Sequence, residues 1–176
     1  MSDKLIKSKK RVKEFGEVYT PDWLVEKMLD LIPDEEFGAD KEFLEPACGN
    51  GNFLVAILKR KLKNIDRTKE NELRCLMSLH GVDIQQDNVE ECRKRLADIC
   101  VNLDSYVARA ILERNIVVGN TLEPETVIVW KWEKIGTNYG ATPYLLSNLE
   151  EPMGRLQALS DMVDEIKVWD AIKNDC

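Results

Sequence analysis

The chain has 176 residues, of which 44% are hydrophobic and 32% charged, with a formal net charge of −7. That length suits one globular domain with a full core, and that balance excludes a disordered chain. No run of about 18 apolar residues exists, so no membrane span is expected. The basic start has no apolar stretch behind it, so no secretory signal is expected either. Five cysteines without a CxxC pairing read as reduced thiols in a cytoplasm. The single histidine, His80, argues against His-based metal sites and a Ser-His-Asp triad, and no metal is expected.

Charge is uneven. Lys4, Lys7, Lys9, Lys10, Arg11 and Lys13 against Asp3 give residues 1–13 a charge of +5, on a body of −12. A protein that grips duplex DNA alone presents a broad basic face. Residues 1–14 are instead a short basic arm. It is either a solvated terminus or a segment that touches phosphates or a partner.

Thr20 is expected to cap a helix with Pro21 at its first position, running through Asp22–Ile32 and closed by Pro33. Glu42–Glu45 reads as a short buried strand and Cys48-Gly49-Asn50-Gly51 as a turn. A helix over residues 52–63 places Phe53, Ile57 and Leu58 on one face. Its end, Lys59-Arg60-Lys61-Leu62-Lys63, reads as solvated, with cations suiting the helix dipole. Residues 64–74 are polar and charged. Leu79–Ile84 reads as a second strand. Asp87 is expected to cap a helix to Leu103 with Val89, Cys92, Leu96 and Ile99 inward. Residues 104–113 read as another helix, Asn115–Val118 as a third strand and Thr126–Trp130 as a fourth. A loop with Gly136, Gly140 and Pro143 follows. Residues 149–173 read as an amphipathic helix bearing Leu149, Met153, Leu156, Val163, Ile166 and Trp169, with Pro152 in its first turn.

Strands alternating with helices predict an α/β fold with a parallel sheet flanked by helices. Ligands in such sheets bind at the carboxyl ends of the strands. The first strand ends in Glu45-Pro46-Ala47-Cys48-Gly49-Asn50-Gly51. Gly49 and Gly51 permit a sharp turn and close backbone approach. A dinucleotide fingerprint would want glycine at Leu54, so a pyrophosphate cradle is disfavoured. Glu45 suits a cationic group better than a phosphate. Asp83, at the second strand's end, can accept both hydroxyls of a ribose. Asn120, at the third, can read an adenine edge.

This constellation resembles the class I S-adenosylmethionine-dependent methyltransferases, and more narrowly the N6-adenine DNA methyltransferases of restriction–modification systems. Phe15-Gly16-Glu17-Val18-Tyr19-Thr20-Pro21 is similar to that family's N-terminal cofactor motif. Phe43 to Phe53 is similar to its glycine loop, Gly81-Val82-Asp83-Ile84 to its ribose motif, and Gly119-Asn120-Thr121-Leu122 to its adenine-edge motif. The resemblance covers residues 15–122 and implies a Rossmann-like sheet with S-adenosyl-L-methionine as cofactor. It implies that Tyr19 and Thr20 hold the methionine end and that Glu45, Ala47 and Gly49, in the turn that Gly51 completes, hold its amino group and backbone. Asp83 would take the ribose, Asn120 the adenine edge, and Ile84 would pack on the adenine face. Structural readings stand beside these: Thr20 as a helix cap, Asp83 as a cap of the next helix, Asn120 as a turn residue.

Methylating adenine N6 requires the base to leave the stack. The resembled family grips it with Asn or Asp, two prolines and an aromatic. The prolines here, at 21, 33, 46, 124, 143 and 152, are never adjacent, so that tetrapeptide is absent. Thr142-Pro143-Tyr144, or Trp130 and Trp132, are weak substitutes for base stacking. No catalytic residue is assigned. The expected organisation is the arm (1–14), a cofactor-binding domain (15–148) and a C-terminal helix (149–176) packed on it. The expected function is cofactor binding, with methyl transfer to DNA adenine if active and DNA reached through a partner chain. The alternatives are a catalytically silent or regulatory subunit, oligomerising through the last helix, and a methyltransferase of small molecules or proteins.

Overall fold

The computed structural model describes residues 5–63 and 65–174. Helix α1 (Lys9–Phe15) starts where the Ser8 hydroxyl accepts the Arg11 N–H at 3.2 Å, and it stops at Gly16 with φ 65°. Helix α2 (Asp22–Leu29) turns Val25 and Leu29 inward. A 3-10 turn at Asp34–Phe37 leads to β1 (Phe43–Glu45). Then come α3 (Asn52–Lys63), α4 (Lys69–Met77), β2 (Leu79–Asp83), α5 (Gln86–Ala97), α6 (Ser105–Asn115) and β3 (Ile116–Val118). Strands β4 (Ile128–Ile135), β5 (Asn138–Leu145), β6 (Asn148–Pro152) and β7 (Gln157–Ala158) precede helix α7 (Leu159–Asn174).

Strands β1, β2 and β3 form a parallel sheet in that order, with Glu45 opposite Gly81 and Gly81 opposite Ile116. Parallel neighbours need long crossovers. Helices α3 and α4 supply the first, α5 and α6 the second. Leu54, Leu58, Leu76, Leu79, Leu96, Ile111 and Ile116 bury completely and form the core. The expected α/β fold is present, its three-stranded parallel sheet flanked by helices and compatible with a Rossmann-like arrangement.

Several local expectations are corrected. Pro21, not Thr20, is the cap of α2. Its backbone is extended, and its carbonyl accepts the N–H groups of Leu24 at 2.9 Å and Val25 at 3.1 Å. The helix ends at Leu29, ahead of Pro33. Strand β1 is not buried. The Phe43 N–H donates to the Ser78 carbonyl, so by strand alternation the N–H and C=O of Leu44 face the sheet's free edge. The Leu44 side chain is 43% exposed. Lys61 is not solvated but wholly buried. Its ammonium donates to the carbonyls of Gly38 at 2.7 Å and Lys41 at 2.5 Å, and burial pushes its pKa down to about 8. Helix α4, capped by Thr68, begins in the stretch that the sequence marks only as polar and charged. Gln85, not Asp87, caps α5, which stops at Ala97.

The expected fourth strand does not extend the parallel sheet. Strand β4 pairs antiparallel with β5 in a second sheet, through a two-residue hairpin at Gly136 with φ 59°. Pro143 sits inside β5, where a loop was expected. Its carbonyl accepts the Met153 N–H, so its missing donor points to the same side. That side is a gap, since β7 pairs at residues 140–141 and β6 at residues 144–145. Residues 149–158 are strand and turn, not helix. Pro152 and Gly154 oppose a helix there, and Leu149, Met153 and Leu156 are exposed. Helix α7 buries Met162, Val163 and Ile166 against the protein's own body. Trp169 lies outside the described side chains. Among the described residues no helix is long and apolar enough to cross a membrane.

Candidate functional site

The three parallel strands end side by side, and the loops leaving them enclose a cleft of about 480 Å³. One wall is the segment Phe15–Thr20, which enters from outside the sheet. The others are the loops after β1, β2 and β3. Tyr19, Thr20, Glu45, Ala47, Gly49, Asp83, Ile84 and Asn120 all line this one space. Gly51 does not. It lies behind the loop at φ 90°, and a Cβ there would sit 2.5 Å from the Cys92 sulfur.

Asp83 organises all three loops. Its carboxylate accepts the N–H of Gly49 at 3.0 Å, the N–H of Gln85 at 2.9 Å and Asn88 Nδ2 at 3.1 Å. Its carbonyl accepts the Gly119 N–H at 3.0 Å. A carboxylate offers about four acceptor positions, so one remains for a ligand. The bond to Gln85 is the helix-capping role; the bond to Gly49 goes further and holds the glycine loop.

Gly49 takes φ 51°, and a Cβ there would lie 3.3 Å from the Tyr19 ring. The bare backbone therefore lets the ring lie against the loop. The Tyr19 hydroxyl donates to Asn88 Oδ1 at 2.7 Å, and burial pushes its pKa up to about 12. It is a neutral donor. Thr20 contributes its carbonyl, which accepts Asn52 Nδ2 at 2.8 Å. Glu45 accepts the Ala47 N–H at 3.3 Å, and burial raises its pKa. Asn120 lines the cleft but also closes its own turn, accepting the Leu122 N–H at 3.1 Å. The Thr121 hydroxyl donates to the Pro46 carbonyl at 3.1 Å and ties the third loop to the first.

The sequence reading passed over Glu17, Asn50 and Asn88. Asn50 lines the cleft with a buried Oδ1 that has no partner. Asn88 is buried one turn ahead of Cys92, on the inward face of α5. An amide in that apolar stripe, five residues after Asp83, was its signal. The basic arm is not free where it is described. Arg11 pairs with Asp87 at 2.6 Å and Glu17 at 3.1 Å, and Lys7 with Asp87 at 2.9 Å. These pairs hold the Asp87 carboxyl well below the usual range.

Other candidates fall away. The Cys48 thiol is pushed up by its hydrogen bond with Cys92 and by burial, the opposite of an activated thiol. His80 is buried and its pKa is pushed down to about 4, so it is a neutral imidazole. Trp130 lies under the Arg114 guanidinium, and Trp132 donates to Asn115 at 2.7 Å; neither lines the cleft. Pro143 and Tyr144 belong to the second sheet, also away from it. Among the described residues no cluster of His, Cys, Asp and Glu could hold a metal.

Such a cleft, at the ends of parallel strands with an acid under a glycine loop, lies where α/β proteins with parallel sheets take their ligands. The profile of the N-6 DNA methylase family matches residues 5–138, and the chain belongs to that family. It is similar to the type II methyltransferase M.VspI of Vibrio sp. (strain 343), with 28% identity over 123 residues. That match covers 70% of this chain but 24% of the relative, so the chain spans about a quarter of that protein's length. No solved structure matches the chain.

Proposed function

We propose that the cleft binds S-adenosyl-L-methionine and that the chain is the cofactor-binding portion of an adenine-N6 DNA methyltransferase with a class I, Rossmann-like core. The observation that carries this reading is the convergence of Tyr19, Gly49, Asp83 and Asn120 on one space at the strand ends. The residues fit the group. The orphaned Asn50 Oδ1 and the lightly bonded Glu45 carboxylate are acceptors suited to an ammonium. The open acceptor position of Asp83 suits a ribose hydroxyl. Ile84, 48% exposed on the cleft wall, offers an apolar face to an adenine ring. Among the described residues no cationic side chain lines the cleft, which disfavours a phosphate ligand.

The bound cofactor would supply a methyl group on a sulfonium, open to in-line displacement. Such chemistry depends on positioning and charge placement. Glu45 and Asn50 would hold the amino-acid end, Asp83 and Asn120 the nucleoside, and Tyr19 the wall between them. The groups that grip an adenine come from outside these residues, on a partner chain that also brings the DNA. In this reading residues 15–148 form the binding domain. The buried side of α7 packs on that body.

Titration calorimetry with S-adenosylmethionine tests the proposal. One site is expected, with ATP binding more weakly because Glu45 repels its phosphates. Absence of heat at millimolar cofactor would refute it.

A further inference from the structure

Two residues proposed to meet the cofactor, Tyr19 on the cleft wall and Asp83 at the nucleoside, share one buried amide. Asn88 is 1% exposed. Its Nδ2 donates to Asp83 Oδ1 at 3.1 Å and to Glu17 Oε2 at 3.1 Å, while its Oδ1 accepts the Tyr19 hydroxyl at 2.7 Å. The orientation is chemically unique. Turned over, the amide would aim an oxygen at two carboxylates. Glu17 is itself anchored. Its side chain is 9% exposed and pairs with Arg11 at 3.1 Å, and Arg11 is held by Asp87 and by Gln85 Oε1 at 2.9 Å.

The consequence is geometric. Tyr19 comes from the segment before β1, and Asp83 from the end of β2. No strand pairing sets their separation; Asn88, on the first turns of α5, bonds directly to both. From this we infer that Asn88 is a positioning residue for the cofactor. It holds the Tyr19 wall and the Asp83 carboxylate at fixed spacing, with Glu17 and Arg11 as the clasp that keeps residues 15–20 closed over the cleft. Asn88 does not line the cleft and acts only through its partners.

This rests on the cofactor reading, and the test separates the two. Affinity for S-adenosylmethionine is measured by calorimetry on the full chain for wild type, Asn88→Ala, Tyr19→Phe and the double variant, each with a melting curve. Asn88→Ala should weaken binding at least tenfold. Tyr19→Phe should weaken it several-fold in wild type and much less in the Asn88→Ala background, because the hydroxyl then keeps only its long contact to Glu17 Oε1 at 3.4 Å. A merely structural amide would give penalties that multiply. If Asn88→Ala does not fold, Asn88→Asp replaces it. That variant keeps the acceptor for Tyr19 but faces two carboxylates with a third, so it should lose affinity while the Tyr19→Phe penalty persists. An Asn88→Ala affinity within twofold of wild type, Asn88→Ala and Tyr19→Phe penalties that multiply, or an Asn88→Asp affinity equal to wild type overturns the positioning role alone. Silence of the wild type overturns the cofactor reading and this inference with it.

Discussion

Gly51→Ala probes the glycine loop without touching the cleft. Two separate costs arise at that position. A non-glycine residue at φ 90° is strained, by about 1–2 kcal/mol for left-handed backbone. The new Cβ would also stand 2.5 Å from the Cys92 sulfur, 3.2 Å from its Cβ and 3.3 Å from its Cα. Cys92 is fully buried, so it cannot swing clear, and overpacking of this kind costs about 1–3 kcal/mol. Together the two come to about 2–5 kcal/mol. At this chain length each kcal/mol moves the midpoint by about 2–4 °C, so the melting point should fall by roughly 4–20 °C. Thermal unfolding followed by circular dichroism reads this directly. Adding Cys92→Ala to Gly51→Ala should recover the part due to the sulfur and leave the backbone strain. A Gly51→Ala protein that melts with wild type would show that the loop does not pass this close to α5. A double variant no better than Gly51→Ala would show that the sulfur is not the obstacle.

Asp83→Ala should weaken S-adenosylmethionine binding by about 1–3 kcal/mol, roughly 5- to 150-fold, since Gly49 and Asn88 lose an acceptor along with the ligand; calorimetry checks it. Lys61→Met should destabilise the fold by about 1–3 kcal/mol, because the Gly38 and Lys41 carbonyls lose their donor. The Lys61 pKa is about 8 folded against an ordinary 10.5, so between those values the unfolded chain holds more protons and rising pH favours the folded state. The stability gap between wild type and Lys61→Met should therefore widen from pH 8 to 10.5, as read by urea unfolding. Trp132→Phe should cost about 1–3 kcal/mol through the stranded Asn115 oxygen, again by urea unfolding. The chain alone should leave duplex DNA unmethylated, because no Pro-Pro motif is present to hold a flipped adenine. Incorporation of labelled methyl groups would refute that.

The parallel core was legible because each of its strands is short, mostly apolar and either ends in an acid or is followed by a glycine. Phe43–Glu45, Leu79–Asp83 and Ile116–Val118 fall where expected. The cleft was legible for the same reason: its residues sit at strand ends, where sequence position fixes spatial position. What escaped the reading was held by tertiary partners. Helix α4 hides its inward face behind Glu72, a fully buried acid satisfied by Arg67 at 2.9 Å and by the Asn102 N–H at 2.8 Å. Lys61 belongs to a basic run that looks solvated, yet it alone turns onto carbonyls inside. Strand β5 carries glycine and proline, and only its register gap explains why Pro143 is tolerated. Asn88 was passed over because its amide interrupts the apolar stripe of α5 and so reads as a solvent-facing position.

The Asn115 side chain lies within reach of the carbonyls of Leu76 at 3.3 Å, Met77 at 3.0 Å and Leu79 at 2.9 Å, and it accepts the Trp132 indole at 2.7 Å. One amide thus fastens the base of the central parallel strand to the hairpin sheet. A shortened protein ending after β3 would not be a smaller edition of the same binder: it would strip the cover from Asn115 and loosen the strand that carries Asp83. Any engineered fusion or minimal cofactor sensor made from this chain has to keep the hairpin, although no hairpin residue reaches the cleft.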